Sequence, residues 1–189
     1  MAVRMENKGF EVAVLAGGCF WCMEAVFSEI RGVIKVESGY SGGTVDNPSY
    51  EEVCTGNTGH AESVKVTYDS SMISYGDILE IFFSTHDPTS LNRQGNDVGT
   101  QYRSAIFCMD SRQESIARDA IGKLEDEKRF RKPVVTKVEK FSNFYPSEEY
   151  HKDYFRNNPD SPYCMFVIAP KLEKFRKSHA PMLVGRGNP

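Results

Sequence analysis

The octapeptide at residues 17–24, GGCFWCME, concentrates the chemistry-bearing residues of this chain. Two glycines precede Cys19, Cys22 follows three residues on, and Phe20 and the chain's single tryptophan, Trp21, lie between them. A C-x-x-C of this kind fits three chemistries: a dithiol exchanger, half of a zinc site, or a reactive thiol beside an apolar slot. Zinc needs further ligands at sensible spacing. Cys54, Cys108 and Cys164 are scattered singly, and His60, His86, His151 and His179 form no H-x-x-x-H pair. A cysteine at the start of a helix meets free N–H groups and positive dipole potential, so the thiol of Cys19 is expected to have a lowered pKa. Glycines before it allow a tight turn and leave the sulfur approachable.

A second chemical group lies at Glu62. In the run 62–69, ESVKVTYD, Val64, Val66 and Tyr68 share one face of a strand, and Glu62 is in phase with them. A carboxyl on that face loses hydration, its pKa rises, and it becomes a proton donor near neutrality. Tyr40, Tyr50, Tyr102 and Tyr163 stand beside loops or strand ends, where a hydroxyl can donate into a partly apolar site. Cys54 and Cys108 read as buried fillers, and His60 and His151 as structural histidines.

The elements that must hold these residues follow from periodicity. FEVAVLA (10–16) reads as a buried strand broken by Gly17 and Gly18, and Met23, Val26, Phe27 and Ile30 mark a helix that Gly32 ends. VIKVES (33–38) is a short strand, and 39–60 a loop with one helical turn after Pro48. Ser74 and Asp77 form a capping box ahead of a helix, and Ser111 with Glu114 another, for a helix reaching about Arg129. Residues 84–101 form a long polar loop, of a length that is usually functional in a compact domain. Strands are expected at 102–109, 133–141 and 163–168, and helices at 147–158 and 170–179. Helix-crossed strands mix with direct neighbours, which indicates an α+β domain.

The bulk numbers exclude several classes. With 189 residues and a formal net charge of −3, the chain suits one domain and gives no electrostatic reason to bind nucleic acid or an anionic membrane. The long apolar runs of a signal peptide or a transmembrane helix are lacking, and five cysteines do not make a disulfide framework, so a cytoplasmic protein is expected.

GGCFWCME, GYSGG, NPSYEEVCTGNTGHAESVKVTYD, HDPTSLNRQGNDVGTQYRSAIF and FYPSEEYHKDYFRNNP together, in this order, resemble the peptide-methionine (S)-S-oxide reductases, the type A methionine sulfoxide reductases. The resemblance runs from about Phe10 to about Lys177. It implies one domain over 1–189, with a core at about 10–177 and a tail at 180–189. The implied fold is α+β, a central mixed sheet flanked by helices with a ferredoxin-like core. It implies reduction of methionine-S-sulfoxide in proteins or free, with Cys19 as nucleophile, Glu62 as acid, and Tyr50 and Tyr102 holding the sulfoxide oxygen. Asp97 would order polar contacts, and Phe20 and Trp21 would receive the S-methyl group. No metal or organic cofactor is implied. A cysteine sulfenic acid would be resolved to a disulfide and reset by an external dithiol, thioredoxin or a relative, and a monomer is expected. Two departures bear on the resolving thiol. Cys22 stands where many members have glycine, and the chain ends without their glycine-rich, cysteine-bearing tail. The candidates are therefore Cys22 and Cys164. The rivals are a thioredoxin-like dithiol exchanger and a module that binds oxidised methionine without turnover.

Overall fold

A computed structural model describes residues 9–184. In chain order the elements are β1 (Phe10–Gly17), α1 (Phe20–Phe27), β2 (Val33–Ser41), α2 (Tyr50–Cys54), β3 (Ala61–Asp69) and α3 (Tyr75–Thr85). A short hairpin of β4 (Arg93–Gln94) and β5 (Asp97–Val98) precedes β6 (Ser104–Cys108), α4 (Ser111–Asp126), β7 (Lys137–Lys140) and β8 (Tyr145–Pro146). The described residues finish with α5 (Tyr154–Asn157), a π-helical turn at Cys164–Ile168, α6 (Ala169–Ser178) and a 3₁₀ turn at Ala180–Met182.

Six strands form one sheet in the order β7-β6-β1-β3-β2-β8. Only β6 and β7 pair in parallel; the other neighbours are antiparallel. The unit β1-α1-β2-β3-α3-β6, with its strands ordered β6-β1-β3-β2, is the ferredoxin-like βαββαβ arrangement. The sheet alternates its faces strand by strand. Leu15, Val64, Val66 and Ile106 meet Phe20, Phe27, Leu79, Phe82, Leu124 and Leu172 in the main core. Val14, Ala16, Ala105 and Phe107 face the other way, under Phe141 and Phe144. The helices thus supply one face, and the chain leading to β8 covers the second.

Local chemistry explains most boundaries. Gly18, at φ +91°, makes the turn from β1 into α1, and a Cβ there would collide with the side chain of Gln94. Ser49 and Glu52 form a full capping box at α2, as do Ser74 and Asp77 at α3.

Several sequence expectations are corrected. Residues 163–168 are not a strand. Cys164, Ile168, Leu172 and Phe175 are the buried positions, at helical spacing, while Met165, Phe166 and Val167 are exposed. β-branched and aromatic residues there mimic a strand, but the period of burial is helical. The segment 147–158 is not one helix: a 3₁₀ turn at Glu149–His151 and the short α5 are separated by Asp153, at φ 49°. The cap of α4 is Asp110, whose side chain accepts from the Gln113 N–H, and not Ser111. β2 runs on to Ser41, and β7 is shorter than 133–141. The tail does not begin at 180: Val184 N–H donates to Glu29 O, and Leu183 bridges Ile30. The rest of the expected tail, beyond Val184, lies outside the described residues. Among the described residues, no helix is long and apolar enough to cross a membrane.

Candidate functional site

The start of α1 lies over the end of β3. Cys19 is the N-cap residue, and the backbone N–H of Phe20 donates to Oε2 of Glu62 at 3.0 Å. The first free amide of the helix therefore satisfies a carboxyl that the strand's alternation turns inward. Glu62 is 2% exposed. Burial pushes its pKa up to about 8, against the pull of the Phe20 N–H, with Asp97 and Cys22 adding to the rise. The group is thus a protonated acid at neutral pH.

Cys19, Phe20, Trp21, Tyr50, Glu62, Asp97, Tyr102 and Tyr163 line one cavity of about 200 Å³. All eight are named from the sequence: seven as site residues implied by the resemblance, and Tyr163 as a hydroxyl able to donate into a partly apolar site. They come from the α1 start, α2, β3, the β4–β5 hairpin, the turn after it and the start of the π-helical turn, so the long polar segment 84–101 does contribute to the site. Tyr163 O–H donates to Asp97 Oδ2 at 2.7 Å and lies within hydrogen-bond reach of the Cys19 sulfur. Burial, then the charge of Glu62, raises the pKa of both Tyr50 and Tyr102, so both remain O–H donors.

The lowered pKa expected for Cys19 is not found. Burial raises it well above the ordinary thiol value, and the Cys22 hydrogen bond and the Glu62 carboxyl add to the rise. The N-terminal amide expected to stabilise a thiolate is taken by Glu62 instead. The Cys19 thiol donates to Cys22, and that hydrogen bond, helped by the Lys171 ammonium, lowers the pKa of Cys22. Cys19 and Cys22 form one buried cluster with Cys164 and Ile168. Cys108 is buried as expected, but Cys54 is exposed: it ends α2 facing outward, with its thiol hydrogen-bonded to Tyr50.

Sequence reasoning set His151 aside as structural, yet it backs the cavity wall. Its ring is fully buried, its Nδ1 accepts from Trp21 Nε1–H at 3.0 Å, and it touches the rings of Phe20 and Tyr50. Because Nδ1 accepts that bond, the ring proton is on Nε2, and burial lowers the ring's pKa against the pull of Glu148. Glu148, also unmarked in sequence, accepts from Tyr40 O–H and from the Tyr50 backbone N–H, both at 2.7 Å. On the outer side Tyr154 stacks flat on Trp21, with centroids 3.6 Å apart and planes 5° from parallel. These residues follow no periodic pattern, and only the aromatic density of EEYHKDY (148–154) hints at His151 and Tyr154. His60, by contrast, is structural: its Nδ1 accepts from Gly43 N–H. Among the described residues, no group of three or more His, Cys, Asp or Glu side chains is arranged to hold a metal ion.

Comparison with known proteins gives a consistent picture. Residues 11–183 match the family described as peptide methionine sulfoxide reductase. A peptide methionine sulfoxide reductase MsrA of Deinococcus radiodurans is 58% identical over 173 residues, 92% of this chain and 84% of that protein. One of Saccharolobus solfataricus is 58% identical over 167 residues, 88% of this chain and 93% of that protein. The crystal structure of reduced Mxr1 from Saccharomyces cerevisiae superposes with a TM-score of 0.75 at 30% identity, covering 86% of this chain and 93% of that one. A buried thiol facing a protonated carboxyl is the equipment for thiol-dependent reduction of methionine sulfoxide, and this chain belongs to the peptide methionine sulfoxide reductase family.

Proposed function

We propose that the chain reduces the S epimer of methionine sulfoxide, in proteins and free, at the cavity beside Cys19. The observation that carries this reading is the protonated, buried Glu62 on the same cavity as the Cys19 thiol. A sulfoxide oxygen leaves sulfur only once protonated, so the reaction needs an acid next to the nucleophile. Glu62 supplies that proton, and the Tyr50 and Tyr102 hydroxyls hold the oxygen. Phe20 and Trp21 receive the methyl group, and Asp97 holds Tyr163 in place through their hydrogen bond.

The sulfur of Cys19 gives two electrons to the sulfoxide, and its thiol proton replaces the one that Glu62 gave to the oxygen. The substrate S–O bond breaks, a Cys19 S–O bond forms to give the sulfenic acid, and methionine leaves with its sulfur reduced by two electrons. A second thiol, from Cys22 or Cys164, attacks the sulfenic sulfur, water leaves, and a disulfide forms. An external dithiol, which we take to be thioredoxin, takes up that disulfide and returns both thiols. The chemistry uses no metal or organic cofactor. We place the activity in a cytoplasmic monomer formed by a single domain.

Dithiothreitol-dependent turnover of the separated sulfoxide epimers tests the reading. Methionine should be released from the S epimer. Release from the R epimer alone, or binding without release, would overturn it.

A further inference from the structure

One buried carboxyl has no part in the reaction above. Glu24 is 5% exposed and sits on α1, three residues after Trp21, so the two side chains are neighbours on one helix surface. It faces the backbone N–H groups of Asp153 and Tyr154. The first belongs to Asp153, the left-handed N-cap residue (φ 49°, ψ 34°), and the second to Tyr154, the first residue of α5. A non-glycine residue keeps such a conformation only when its surroundings fix it. Trp21 meets the same segment through the flat stack of its indole on the Tyr154 ring. The helix therefore meets residues 153–154 at two points: Glu24 lines one small cavity with Asp153, and the Trp21 indole lies on the Tyr154 ring.

We infer that Glu24 is a positioning residue for the substrate methyl pocket: its carboxylate fixes the Asp153–Tyr154 turn, and the Tyr154 ring then holds the Trp21 indole from outside while His151 holds it from inside. The inference rests on Trp21 being the methyl-receiving wall, as proposed above. The interaction is strongest when Glu24 is ionised and offers acceptor lone pairs to both N–H groups. Burial raises its pKa to about 7, with the nearby Asp153 carboxyl adding to the rise and the two N–H groups opposing it. The other charged groups around it are Glu29 in the turn after α1, Arg156 on α5 and Arg176 on α6, which line a cavity of about 160 Å³ with it; Ser38 of β2 completes the surroundings. The grip tightens as pH rises through this range and loosens as pH falls.

Trp21 is the only tryptophan, so intrinsic fluorescence reads its environment without substrate. Emission and acrylamide quenching are measured for reduced wild type, Glu24→Gln and Glu24→Ala between pH 6.5 and 9. Wild type should show a transition near neutrality that Glu24→Gln lacks, and Glu24→Ala should be the most quenched at every pH. In turnover, Glu24→Ala should raise KM and reduce the methyl-over-ethyl sulfoxide preference about tenfold, with an unchanged single-turnover rate at saturation. If Glu24→Ala does not fold, the comparison of wild type with Glu24→Gln decides alone. A titration in Glu24→Gln identical to that of wild type overturns the inference. So does quenching in a folded Glu24→Ala equal to that of wild type. Trp21→Ala separates the two readings: if it keeps the methyl-over-ethyl ratio, the methyl-wall reading falls, while fluorescence still judges the Glu24 grip.

Discussion

The indole N–H of Trp21 donates to Nδ1 of His151 at 3.0 Å, across 130 positions of sequence. This bond ties the motif that carries the nucleophile to the C-terminal third of the chain. His151→Phe keeps the aromatic filler but leaves the indole N–H without its acceptor. The expected loss is about 1–3 kcal/mol of stability, with weaker methyl-over-ethyl selectivity. A double-mutant cycle with Trp21→Phe checks it by thermal unfolding. Full additivity would mean that the two residues are not coupled.

Cys19→Ser should abolish turnover, because a serine oxygen cannot take up the sulfoxide oxygen as a sulfenic acid does. The structure also sets the labelling order. With the Cys19 thiol raised by burial, iodoacetamide near neutral pH should modify the exposed Cys54 first, and Cys19 should gain reactivity only at alkaline pH. Peptide mapping of the alkylated enzyme over time reads both. Rapid labelling of Cys19 at pH 7 would contradict the burial argument.

Glu62→Gln should slow single-turnover methionine release by about 10²–10⁴-fold, the usual worth of general acid catalysis. It should also alter stability in a definite direction. The folded enzyme holds a proton on Glu62 up to about pH 8, whereas an unfolded carboxyl releases it near its ordinary value of 4.5. Between those values the folded state binds more protons, so this group's contribution is full below pH 4.5 and is lost as pH rises through 8. Glu62→Gln removes that loss. Its Tm should exceed that of wild type at pH 8 and approach it at pH 5.

The resolving thiol is open to a direct count. Wild type, Cys22→Ser and Cys164→Ser are treated with excess sulfoxide and no reductant, then thiols are titrated and disulfides mapped. Cys22 is already hydrogen-bonded to Cys19, and that bond lowers its pKa, so Cys22→Ser should accumulate sulfenic acid while Cys164→Ser still closes a bond. The reverse result would make Cys164 the first resolver.

Much of the core topology was legible because it is built from local signals. Alternation placed β1 and β3, the Ser74–Asp77 box placed α3, and strand phase turned Glu62 inward. What sequence concealed depends on contacts between distant segments. The π-helical turn at 164–168 has strand-like composition, and only its buried neighbours, Cys19 and Cys22, reveal a helical period. The Cys19 pKa departs from the sequence expectation for a related reason. A helix N-terminus stabilises an anion only if its amides are free, and Glu62, 42 residues further on, takes the Phe20 N–H. His151 and Glu24 act through a wall made by other residues, which no local pattern encodes.

The strand order has a consequence for the company this protein keeps. Its sheet is bounded by β7, four residues with lysines at both ends, and by β8, two residues ending in proline. Brief, charged or proline-bearing margins are poor templates for another extended chain. Oxidised clients are often partly unfolded and offer just such chains. The rim geometry lets the enzyme handle them through a small cavity while giving their backbones little to pair with.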